Sequence, residues 1–71
     1  PSMGENLENA KKAAGRAVIF DNEEQYRKAI CYYDIAARLL DKASPRGSPV
    51  PHSIKNKASD YRQRIVTLQT L

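Results

Sequence analysis

Apolar residues recur at three- and four-residue intervals in three separate stretches of the chain, the period of helices that each bury one stripe. The first stretch holds Leu7, Ala10, Ala14, Ala17 and Val18 and predicts a helix over about residues 6–21. Ala13 and Phe20 widen it along one side. Because this face is almost all alanine, a neighbouring helix can approach closely and a groove is left beside it. The second stretch, Tyr26, Ala29, Ile30, Tyr33, Ala36, Ala37 and Leu40, predicts a helix over about residues 23–43. Asn22 stands where its cap belongs, with Gln25 in the capping-box position. A second apolar strip, Tyr32, Ile35, Leu39 and Ala43, runs along the same helix, and Arg27, Asp34, Arg38, Asp41 and Lys42 take up the remainder. A helix with so wide an apolar surface needs cover on two sides.

The pattern breaks in SPRGSPVPHS, residues 44–53, where three prolines and a glycine forbid helix. A loop over 44–52 follows. Proline and hydroxyl start signals then open a third helix over about 53–70, with Ile54, Ala58, Tyr61, Ile65 and Leu68 as its stripe. A tight first connection and a longer second one make the fold all-α, an antiparallel up-down-up three-helix bundle in one domain.

On helix three, Lys55, Ser59, Arg62 and Val66 flank the stripe on one side, and Lys57, Asp60 and Arg64 on the other. Val66 with Ile35 and Leu39 is expected to floor a groove between helices two and three, with Tyr32 beside it. The opposite groove, between helices one and three, is expected to be lined by Ala10, Ala13, Ala17 and Phe20 against Lys57 and Arg64.

Composition narrows the class. At 71 residues the chain supports a single small domain, which buries only about 60% of its unfolded surface. Its 41% hydrophobic and 28% charged residues and mean hydropathy of -0.66 are those of a soluble globular domain. No apolar run approaches the roughly 20 residues of a membrane span, and no signal-peptide pattern is present. Pro1 and Ser2 before Met3 read as a cleavage scar outside the fold, and Met3-Gly4 lacks the later hydroxyl of a myristoylation start.

Cys31 is the only cysteine, so no internal disulfide forms, and with the lone His52 it cannot build a zinc site. A reducing intracellular setting is expected. No cofactor or metal is implied, and catalysis finds no constellation. Cys31 has no thiol-protease partner and reads as a packing residue, His52 as a solvated loop residue, and Asp21 as a cap or ion-pair partner. The net charge of +4 and pI near 9.5 permit attraction to nucleic acid or an anionic surface. The basic residues are scattered, however, and all four tyrosines fall inside helical patterns, unlike a stacking platform for bases. Ser44-Pro45 and Ser48-Pro49 would suit a proline-directed kinase, with phosphate adding charge beside the third helix.

The run Tyr26-x-x-Ala29-x-x-x-Tyr33-x-x-Ala36 resembles a tetratricopeptide unit, but such units need about three copies to bury a continuous core. A single copy between two further helices is similar instead to the MIT domain, the microtubule-interacting and trafficking module. The resemblance runs from Leu7 to Leu68: Ala17-Val18 with Asp21; Tyr26, Ala29-Ile30, Tyr32-Tyr33, Ala36-Ala37 and Leu40; then Ile54, Lys57, Tyr61, Arg64 and Leu68. The segment AVIFDNEEQYRKAICYYDIAARLL looks most like MIT domains of calpain-7/PalB-type cysteine proteases, and next like that of the AAA ATPase that disassembles the endosomal sorting polymer.

The resemblance implies a monomeric, non-catalytic adaptor, excised from a larger parent. It would bind MIM motifs in C-terminal tails of ESCRT-III proteins and be recruited from the cytoplasm to endosomal membranes through them. In the family, helical motifs lie between helices two and three, and extended proline-containing ones between helices one and three. Two departures stand out. Arg62, Gln63 and Val66 replace the Leu, Asp and Glu with which ATPase-type members grip a helical motif. A helical ligand here is therefore expected to bring acidic groups to Arg62 and Lys55, or the other groove is used. Glu24 stands where many members have glycine, and Asn22 is expected to take the left-handed dihedral in its place.

Overall fold

The structure, a computed structural model, describes residues 2–43 and 52–71. Three helices follow one another: α1 (Met3–Asn22), α2 (Tyr26–Lys42) and α3 (His52–Gln69). The predicted all-α three-helix bundle is the fold observed. Helix α1 begins earlier than the apolar stripe requires because Ser2 caps it. The Ser2 hydroxyl accepts from the Glu5 N–H at 3.2 Å, satisfying one of the orphan donors of the first turn. Glu5 adds negative charge where the helix dipole favours it. Ser2 thus belongs to the folded unit and is not outside it.

The α1–α2 turn also differs from expectation. Asn22 is the last residue of α1 and does not cap α2, whose N-cap, Gln25, makes no side-chain cap hydrogen bond. The left-handed residue is Glu24, at φ 61. Its N–H donates to the Asp21 carbonyl at 3.0 Å and the Gln25 N–H to the Phe20 carbonyl at 2.8 Å, the paired bonds of a Schellman motif. The motif demands positive φ at the residue after the cap, whatever its type. Once α1 runs on through Asn22, that residue is Glu24.

Packing follows from side-chain size. Among the described residues, nine of the twelve buried apolar ones are alanines, the others being Tyr33, Leu40 and Leu68. Alanine faces allow close helix approach, and α1 and α3 both pack against α2. Among the described residues, no Cα of α1 comes within 8 Å of a Cα of α3. Helix α2 is therefore the middle of the bundle, covered on two sides as its wide apolar surface requires. Only larger side chains bridge the outer helices: Tyr33 and Leu68 cluster with Ala17 and Ala29, and Leu40 with Ala10 and Ala58. Tyr61 packs against the edges of both clusters, stacked on Tyr33 at 5.7 Å. Val18, expected in the buried stripe, is 45% exposed. It lies roughly 100° around the helix from Ala17, beyond the reach of α2.

Replacing Glu24 with glycine should remove the cost of a left-handed β-carbon, net of glycine's extra unfolded-state entropy, and stabilise the fold by about 0.5–1 kcal/mol. A urea midpoint that stays put or falls would contradict this assignment of strain.

Candidate functional site

Because α1 and α3 meet only through side chains, clefts open on both flanks of α3. On the α1 side, Leu7 and Ala10 face Ile54 and Tyr61 across a floor made by Leu40, enclosing about 180 Å³. Lys11 and Lys57 stand at opposite rims, with Ser53 at the end. A cavity near 150 Å³ admits a benzene-sized group, so this cleft has room for one large apolar side chain.

Farther along the same groove a polar node ties all three helices together. Arg64 of α3 donates from Nε and from Nη2 to the two Asp21 carboxylate oxygens, each at 2.7 Å. The Tyr33 hydroxyl of α2 donates to the same carboxylate at 2.9 Å. Asp21 is only 11% exposed, so its charge is held by partners and not by water. The Arg64 hydrogen bonds, opposed by burial and aided by Tyr33, hold the Asp21 carboxyl below its ordinary 3.8. Burial first, then the bond to Asp21, push the Tyr33 phenol up to about 12. Asp21 is thus an ion-pair partner, as its sequence position suggested.

On the α2 side, Leu40 and Asp41 face Ile54, Lys55, Ala58, Ser59 and Arg62 around about 420 Å³. Arg62 crosses this cleft to pair with Asp41. Lys55, Ser59 and Arg62 line it as expected, and Val66, 61% exposed, lies one turn beyond Arg62. Tyr32, Ile35 and Leu39 do not line it. Tyr32 stacks on Phe20 of α1 at 5.5 Å, with the Arg16 guanidinium 5.9 Å from its ring centroid. Leu39, two turns on, shares that flank, and Ile35, 40% exposed, lies farther out. The expected floor of Val66, Ile35 and Leu39 is therefore divided between opposite flanks of α2. Leu40 and Ala58 take its place.

The expected α1/α3 lining is also revised. Ala10 and Lys57 do line that cleft, but Ala17 is fully enclosed in the core. Ala13 is packed with Ala14 and Ala36, Phe20 lies on the Tyr32 side, and Arg64 is occupied by Asp21. Leu7, Ile54, Tyr61 and Leu40 read from periodicity as core alone, yet each also walls a cleft. Lys11 was missed, although its place four residues after Leu7 puts it on the same face. Cys31, expected to pack, is exposed. Ser44, Ser48 and the side chain of His52 lie outside the described residues.

A family model for the MIT (microtubule interacting and transport) domain matches residues 7–70. The chain belongs to the MIT domain family. No curated protein and no solved structure is matched significantly. An MIT domain is a protein-interaction module that binds partner peptides and is not itself a catalyst. The three clustered alanine-and-tyrosine faces of this MIT domain are thus the scaffold on which two clefts are presented. Among the described residues there is no group of three potential metal ligands and no helix long and apolar enough to cross a membrane.

Two outcomes follow from the node. Tyr33→Phe should cost about 1.5–3 kcal/mol, the range for a hydrogen bond to a charged group. Since the Asp21 pKa is depressed on folding, its contribution is present above the unfolded carboxylate range and is lost as pH falls through the folded value. The stability gap between wild type and Asp21→Asn should therefore be wide at neutral pH and narrow on acidification below about 4. A gap independent of pH, measured by thermal unfolding, would rule out the charge as its source.

Proposed function

We infer that this MIT domain recruits its parent protein, of the calpain-7/PalB or AAA ATPase kind, to MIM motifs in the C-terminal tails of ESCRT-III proteins at endosomal membranes. It acts as a monomeric adaptor, and its membrane association is indirect. The observation that carries the reading is the apolar α1/α3 cleft with a lysine on each rim and no carboxylate in its lining. An extended tail segment with an apolar residue flanked by acidic ones complements that surface, in the manner of a peptide seated in a groove between helices.

The α2/α3 cleft supports a second mode, in which an acidic helical motif meets Lys55 and Arg62. That mode has to compete with Asp41 for the guanidinium. Among the described residues, no carboxylate lines the α1/α3 cleft.

Titration by calorimetry with ESCRT-III tail peptides, beside a duplex oligonucleotide, tests the function and the cleft together. Binding of a tail peptide is expected, weakened by Lys57→Glu and unchanged by Arg62→Asp. The reverse pattern moves the ligand to the α2/α3 cleft. Silence with all tails and steeply salt-dependent binding of the oligonucleotide would replace the reading with a basic nucleic-acid module.

A further inference from the structure

The apolar strip of α2 that neither cleft uses is Tyr32, Ile35 and Leu39. Tyr32 and Leu39 are half-buried and Ile35 is 40% exposed. With Lys28 before them and Lys42 after them, these residues stand four, three, four and three apart along the helix. That is the spacing of a seam that packs against a further helix. From Lys28 to Leu39 the seam runs eleven residues, about 16 Å at roughly 1.5 Å per residue. Beside it on α1 stand Arg16 and Phe20, one turn apart. The Phe20 and Tyr32 rings stack at 5.5 Å, so each keeps one outer face. The Lys28 ammonium lies 5.3 Å from the Phe20 ring centroid and the Arg16 guanidinium 5.9 Å from that of Tyr32. The aromatic pair is thus bracketed by a cation on either side. Among the described residues neither cation is ion-paired.

Charge along this face changes sign from end to end. Lys12, one turn before Arg16, extends the cationic middle. Glu23 and Glu24 stand at the α1–α2 turn, and Glu5 and Glu8 stand with Lys42 at the opposite end. Asp34 lies across α2 from Tyr32 and is paired with Arg38.

We propose that the α1/α2 face docks one amphipathic helix of a partner protein, acidic in its middle and basic at the end that meets the turn. The inference is independent of the peptide-binding reading of the clefts, with which this face shares no residue. Seam spacing and length fit a helix of about three turns whose apolar stripe rests on Tyr32, Ile35 and Leu39. Carboxylates beside that stripe meet Arg16 and Lys28. A uniformly anionic occupant, a bilayer or a nucleic acid, would also meet the glutamates at both ends, and like charges brought together cost affinity. Alternation of sign therefore selects a protein helix. Because the face and the clefts are separate, the domain holds this helix and a cleft peptide at the same time and bridges two partners.

The test uses the domain as it stands and a synthetic helix of about 21 alanine-rich residues, long enough to hold helical structure. Leucines follow the four-three spacing, glutamates flank them in the middle, and lysines occupy the ends. A charge-inverted peptide and phosphatidylserine vesicles are the comparisons. Affinity is read by fluorescence anisotropy and the site by amide shift changes. The acidic-centred helix should bind and shift Phe20, Tyr32 and Ile35. Arg16→Glu with Lys28→Glu should weaken it about tenfold, the effect of two exposed pairs. Ile35→Asp, at an exposed position, should abolish binding, and circular dichroism checks the fold of each variant. Arg27→Glu, which changes charge on the far side of α2, should leave affinity within about twofold, as should Lys57→Glu. Equal binding of the charge-inverted peptide, equal loss in Arg27→Glu, or shifts at Leu7 and Lys57 or at Lys55 and Ser59 in place of Tyr32 would overturn the proposal. Silence with the peptide and binding to the vesicles would replace the partner helix with an anionic membrane. None of these outcomes bears on the binding of tail peptides in the clefts.

Discussion

The architecture depends on the smallness of the residues at its helix contacts. Alanine faces on α1 and α2 bring those two backbones close, and α3 lies against α2 through Ala58 with the larger Tyr61 and Leu68. Alanine buries little area per residue, so each such contact contributes little of the roughly 25 cal/mol per Å² that hydrophobic burial supplies. The core is correspondingly thin, with no large side chain wholly enclosed among the described residues. What alanine gives in return is shape. Two helices set against a narrow third do not close over it on their far sides, and the clefts of this MIT domain are those unclosed sides.

A thin core leaves the outer helices free to slide, and the Asp21 node opposes this. One carboxylate takes hydrogen bonds from α2 and from α3 while standing on α1. It fixes the relative height of all three helices at one end of the bundle. Geometry of this kind serves register more than net stability, because a largely desolvated carboxylate offsets much of what its partners contribute. The width of the α1/α3 groove is set between this node and the Leu40 cluster.

Periodicity was sufficient for the helices, for most of the buried residues and for the family, because those depend on which residues share a face. It was insufficient for the clefts. Three stripes on three helices are satisfied equally by two mirror arrangements, with α1 on one side of α2 or on the other. Which of them occurs decides whether Tyr32 meets Phe20 or faces Arg62. The Tyr32–Phe20 stack and the Asp41–Arg62 pair resolve the choice, and neither is visible in spacing. The turn misled for a related reason. Asparagine tolerates a left-handed backbone better than glutamate, but the hydrogen-bonding frame of α1 assigned that conformation by position. Asp21, by contrast, was legible, since a carboxylate at a helix end beside two basic helices has few other uses.

The ion pairs have one more consequence, for the rate at which partners arrive. Asp21, Asp34 and Asp41 are each neutralised within the fold by Arg64, Arg38 and Arg62. The fold thereby cancels the charge of these three aspartates, of eight acidic residues in the chain, at short range. The excess of +4 is carried outward by side chains that include the two lysines at the α1/α3 rims. Potential focused at a low-dielectric cleft draws in chains of opposite sign before any contact forms. Internal pairing of carboxylates and arginines thus shapes the field that a tail would feel at a distance, well before the shape of the groove can discriminate.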